Sequence, residues 1–102
     1  MPYIEHERRA PIWNEWRGYA ETETDPEEPA GAVVVVHEIS TPGELNFAIT
    51  KMIKWLVDQD GESYTKYNEM IGVLQCVQLE LYRRAIAVYE EEKRNENGDV
   101  FE

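Results

Sequence analysis

Tyr82-Arg83-Arg84 places an aromatic ring directly before two guanidiniums. Such a trio suits a phosphorylated ligand. Each guanidinium offers a planar fork of donors to phosphate oxygens, and the tyrosine ring can stack on a flat base. Arg83 and Arg84 are also the only bases between residues 67 and 92. A purely structural use is available too: Glu80 and Arg84 stand at i,i+4, a pairing that contributes about 0.3–0.5 kcal/mol on an exposed helix. Asn46, Asn68 and Gln75 add neutral hydrogen-bonding groups. Tyr82, Arg83 and Arg84 are the candidate ligand-binding residues.

The carboxylates point to a different chemistry. Glu44, Glu69 and Glu80 lie on segments with helical periodicity, and helical nucleotide pyrophosphohydrolases hold magnesium on clustered helix carboxylates. Their pairs normally stand one turn apart, where two carboxylates reach one ion. Glu69 and Glu80 are eleven residues apart, roughly 16 Å along a helix axis. Neither His6 nor His37 falls in an H-E-x-x-H or E-x-x-H arrangement. Cys76 has no second cysteine and sits inside an apolar pattern, which predicts a buried, inert thiol. No glycine-rich phosphate loop or nucleophile elbow occurs. These features assign no catalytic residue, metal ligand or cofactor, and a metal-dependent nucleotide hydrolase is the second reading.

The elements that must carry these groups are legible. Thr41 is an N-cap, Pro42 suits the first helical position, and Glu44 completes a T-x-x-E capping box. Leu45, Ala48, Ile49, Met52, Ile53 and Leu56 then recur at helical spacing, with Phe47 and Trp55 beside them, until Gly61. This predicts a helix over about 42–59. Ser63 or Thr65 caps a longer one over about 64–96, where Met70, Leu74, Val77, Leu81, Ala85 and Val88 step by three and four up to Asn97-Gly98. A short link between two helices predicts an antiparallel hairpin.

That hairpin is lopsided: the second helix is roughly 20 Å longer at ~1.5 Å per residue. Beyond about residue 80, Leu79, Tyr82, Ile86 and Tyr89 form one stripe, and Leu81, Ala85 and Val88 another. Leaving them in water forgoes several kcal/mol, at ~1.5–3 kcal/mol per large side chain. Two covers are available. One is an N-terminal helix opened by Pro11, carrying Ile12, Trp13, Trp16 and Tyr19; the other is a second copy of the chain. The run Ala32–Ile39 has strand propensity in its four valines. No partner strand is evident, however, and Asp25-Pro26-Glu27-Glu28 reads as a helix start, so it is assigned to helix.

Composition bounds the rest. At 102 residues with 42% apolar content, the chain is read as one small folded domain, with an acidic linker at 21–31 and a polar end at 90–102. The formal charge of −11 argues against direct nucleic-acid or anionic-membrane binding. Its distribution qualifies that: ETETDPEE carries five acids and no base, and residues 90–102 carry six acids and two bases. An acidic decoy that mimics nucleic acid is therefore a further alternative. One cysteine, no secretory signal pattern in MPYIEHERRAP and no membrane-length apolar run predict a cytoplasmic protein.

The segments MPYI, PGELNFAIT, YNEMIGVLQCVQLELYRRAIAVYEEEK and ENGDV resemble a family of small uncharacterised phage and bacterial proteins built on a domain of unknown function. The resemblance covers residues 1–9 and 42–100. It implies a mostly helical fold and a phage or prophage setting, and transfers no site residues. The combined expectation is a mainly α protein, a helical hairpin plus an N-terminal helical segment, assembled as a homo-oligomer. Its expected role is non-enzymatic binding of a host protein or a small phosphorylated ligand.

Overall fold

A computed structural model describes residues 1–16 and 30–101. It is mainly helical, with a small two-stranded antiparallel sheet. The order is α1 (His6–Ile12), β1 (Trp13–Trp16), β2 (Gly31–Val34), a 3-10 turn (Val36–Glu38), α2 (Pro42–Asp60), α3 (Tyr64–Leu81), a π-helical turn (Tyr82–Ile86) and α4 (Ala87–Asn97). The chain divides into two compact units, residues 1–61 and 62–102. The acidic stretch at 21–29 and Tyr19 lie outside the described residues.

Unit 1 corrects the reading of the N-terminal half. Pro11 does not open a helix; it lies in the last turn of α1. Proline removes a backbone donor and disfavours helix in the residue before it. The backbone accordingly turns extended at Trp13 (φ −130°, ψ 123°), and Trp13–Trp16 becomes a strand. This is the partner that the valine run lacked. β1 and β2 pair antiparallel, with Trp13 opposite Val34 and Trp16 opposite Gly31. The Val35 amide adds a bond to the Ile12 carbonyl at 2.9 Å. Residues 31–34 are therefore strand, and helix is confined to one 3-10 turn at Val36–Glu38.

The sheet's two-residue period decides what is buried. Ala32 and Val34 pack against the core, whereas Val33 between them is exposed. The core consists of Ile12, Trp13, Phe47 and Ala48, with Ile4, Ile39 and Trp55 packed around it. Trp13 and Trp55 meet edge to face, 6.3 Å between ring centroids, a favoured aromatic geometry. The buried face of α2 is rotated from the predicted one. Phe47, Ala48 and Val57 are buried, while Leu45, Met52 and Leu56 remain 42–49% exposed.

The caps of α2 match the sequence signals. Thr41 Oγ1 accepts from the Glu44 amide at 3.1 Å, Pro42 opens the helix, and Gly61 closes it at φ +88°. In unit 2, Ser63 Oγ accepts from the Lys66 amide at 3.0 Å. The helical path from Tyr64 ends at Gly98, φ +92°. No residue of α3, the π turn or α4 is buried. Cys76, predicted to be buried, is exposed.

Gly31 is required by close approach. A Cβ there would sit 2.1 Å from the Trp16 ring. Gly31→Ala should displace the half-exposed Trp16 indole and destabilise unit 1 by about 1 kcal/mol. Tryptophan fluorescence and a thermal melt check this; an unchanged spectrum and midpoint would contradict it.

Candidate functional site

Tyr82, Arg83 and Arg84 fall on the π-helical turn. Such widened turns are rare and occur frequently at functional sites. Glu80, one turn earlier, engages both guanidiniums: Arg83 Nη2 donates to Glu80 Oε2 at 2.6 Å, and Arg84 Nη1 lies 3.8 Å from Glu80 Oε1. The Arg83 and Arg84 side chains are still 74% and 75% exposed. The Tyr82 hydroxyl donates to Glu90 Oε2 at 3.4 Å. The expected Glu80–Arg84 contact is present, and Arg83 makes the closer one. Two carboxylates, Glu80 and Glu90, thus balance the two guanidiniums, which stay accessible beside the half-exposed Tyr82.

Glu69 and Glu80 both line an open groove with Gly72, Val73, Cys76 and Val77. Glu44 has another task. Its carboxylate is buried, accepting from Arg8 Nε at 2.9 Å and from the amide and hydroxyl of Ser40 at 2.9 and 3.0 Å. The capping-box carboxylate thus reaches one residue further back than Thr41. Arg8 also donates to the Glu38 carbonyl at 2.6 Å and contacts the Glu38 carboxylate at 3.4 Å. One guanidinium so ties α1 to the 3-10 turn and to the first turn of α2.

This geometry shifts the acidities. Hydrogen bonding from Arg8, followed by the Ser40 amide, lowers the Glu44 pKa from its ordinary 4.5 to about 2, outweighing the opposing effect of burial. The Glu44 hydrogen bond raises the Arg8 pKa. Sequence reading assigned Glu44 its cap but missed Arg8, because nothing in the spacing signals a contact thirty-six residues away. His6 opens α1, and His37 lies 4.0 Å from the Glu38 carboxylate with its own side chain 84% exposed. Among the described residues no three His, Cys, Asp or Glu side chains cluster as a metal site.

Two further concavities bear on binding. One, of about 580 Å³, follows the end of α4 and is lined by Glu90, Glu91, Arg94, Asp99 and Phe101, among others. There Arg94 is held by Glu91 and Asp99. The other, of about 170 Å³, lies in unit 1 among Pro2, Tyr3, Arg9, Phe47, Thr50 and Lys51. Its two cations went unnoticed in the sequence because Arg9 and Lys51 are separated by most of the unit.

A family model described as a domain of unknown function, DUF6899, matches residues 1–100. The chain belongs to that family. The match spans both units, including the tract 10–41 where the sequence resemblance was faint. No curated protein and no solved structure matches the chain. No helix among the described residues is long and apolar enough to cross a membrane.

The Glu44 carboxylate makes acid stability a direct readout. Its folded pKa lies below the ordinary value, so its contribution is complete above about pH 4.5 and lost as pH falls toward 2. Wild type should therefore lose more stability than Glu44→Gln between pH 4.5 and about 2. Denaturant melts at several pH values measure the difference. Parallel pH profiles would show that Glu44 is not the linked group.

Proposed function

We propose that this protein is a non-enzymatic binding module that acts as a homo-oligomer assembled on the helix from Tyr64 to Asn97. One observation carries the reading: that helix buries no residue, while Ile71, Val73, Val77, Leu79, Leu81, Tyr82, Ile86, Val88 and Tyr89 are each 46–67% exposed. Covering such side chains stabilises by roughly 1 kcal/mol or more apiece. A helix is seldom held by propensity alone, since most helical stability in proteins comes from packing an apolar face. A second subunit supplies that packing.

Tyr82, Arg83 and Arg84 then lie at the rim of the assembly surface, where the π turn presents them. The partner class is a host protein or a small phosphorylated ligand, in the phage or prophage setting that the sequence resemblance implies. The hydrolase alternative receives less support, because the Glu44 carboxylate is committed to Arg8 and Ser40.

Light scattering on the eluting protein, followed by native mass spectrometry, tests the assembly. The wild type should run as a discrete oligomer, and Leu79→Glu with Ile86→Glu should reduce it to monomer. A monomeric wild type would refute the reading. Arg83→Ala with Arg84→Ala should leave the oligomer intact and remove co-purifying ligand or partner; loss of the oligomer instead would make both arginines structural.

A further inference from the structure

One cavity is built wholly from residues of unit 1. Its floor is Phe47, buried on α2, and one turn later the same helix contributes Thr50 and Lys51. Arg9 enters from α1, with Pro2 and Tyr3 as a wall. Arg9 is held on two sides: Nε donates to the Ile4 carbonyl at 3.1 Å, and the guanidinium carbon lies 5.6 Å from the centre of the Phe47 ring. Lys51 Nζ lies 5.9 Å from the centre of the Trp13 ring. The backbone and aromatic contacts fix the Arg9 fork and, among the described residues, leave Nη1 and Nη2 unused, the part of the group that grips an oxyanion.

The charge pattern singles out this pair. Arg8, Lys54, Arg83, Arg84, Lys93 and Arg94 each contact a carboxylate. Arg9 and Lys51 have no carboxylate partner among the described residues, in a chain of formal charge −11. Two cations without a carboxylate partner among the described residues, a threonine hydroxyl and a tyrosine line a space of about 170 Å³, below the few hundred Å³ of a typical whole-ligand pocket. That size suits an anionic head group whose remainder lies outside, against the exposed ring of Tyr3. We propose that the cavity among Tyr3, Arg9, Phe47, Thr50 and Lys51 binds the phosphate group of a small phosphate monoester. Arg9 supplies the fork, Lys51 a second positive charge and Tyr3 a neutral hydrogen bond, while Thr50, whose hydroxyl donates to Asn46 Oδ1 at 3.0 Å, serves as lining. A dianion is favoured over a carboxylate because two cationic side chains line one site.

Phenyl phosphate is the probe, titrated into the full chain and followed by calorimetry and amide chemical shifts. Saturable binding is expected, with shifts centred on residues 3–9 and 47–51, and with phenylacetate binding at least about tenfold more weakly. Affinity should rise from pH 5 to 7.5 as the probe loses its second proton, near pH ~6. Lys51→Gln, which leaves the Phe47–Arg9 contact in place and removes only the Lys51 contact with the Trp13 ring, should weaken binding about tenfold while lowering the melting midpoint by no more than a few degrees. Arg9→Lys should weaken it by a similar factor through loss of the fork. Arg83→Ala with Arg84→Ala should leave it unchanged. Absence of saturable binding, equal affinity for phenylacetate, or indifference to Lys51→Gln would overturn the proposal. Binding lost in the Arg83/Arg84 variant alone would also overturn it here, and would favour the π turn as the phosphate site.

Discussion

The contact between Arg8 and Glu44 organises unit 1. Three short pieces of backbone converge on it, none able to stand alone: a seven-residue helix, a single 3-10 turn and the first turn of α2. Arg8 bonds to two of them and belongs to the third. The buried Glu44 carboxylate is kept ionised by Arg8 and by the two donors of Ser40. Breaking one partner of such a group costs more than the contact itself contributes, because the other is left uncompensated. With the three pieces tied together, Ile12, Trp13, Phe47 and Ala48 close into a core. The same placement brings Arg9, next to Arg8 on α1, over the ring of Phe47.

Unit 2 has the opposite character. Its helix is well capped, and exposed i,i+3 and i,i+4 ion pairs run along it: Glu80 with Arg83 and Arg84, Glu91 with Arg94, and Lys93 with Glu96. Such pairs contribute only tenths of a kcal/mol each. They leave a helix of roughly 50 Å, at ~1.5 Å per residue, without a buried side chain. The proposed association would relieve the tension between a long, intact helix and its open valines, leucines and tyrosines. Exposure of Cys76 and the open groove beside Gly72 belong to the same picture.

The caps of the long helices are legible because their chemistry is local. Thr41, Pro42, Ser63, Gly61 and Gly98 mark helix ends through bonds or backbone angles that involve only near neighbours, and both long helices follow from them. The strands were missed because their evidence is mutual. Trp13–Trp16 reads as strand only once the valine run is there to pair with it, and Pro11 just before it resembles a helix start in isolation. The rotation of the α2 face has a similar cause: periodicity marks several apolar stripes on α2, and tertiary packing chose Phe47 over Leu45 and Met52. Residue type marks Tyr82, Arg83 and Arg84 as candidates, whereas the π turn that displays them has no signal in the sequence. Arg8–Glu44 and Arg9–Lys51 depend on long-range closure, which no spacing rule encodes.

The account rests on the helix from Tyr64 to Asn97 being covered in solution by a second copy of the chain. Amide hydrogen exchange measured over a wide range of protein concentration tests this most directly. Self-association predicts that exchange across residues 79–89 slows as concentration rises, while the amides of Ile12 and Trp13 in unit 1 stay protected throughout. Protection of residues 79–89 that does not change with concentration, in a protein monomeric across the whole range, would contradict it.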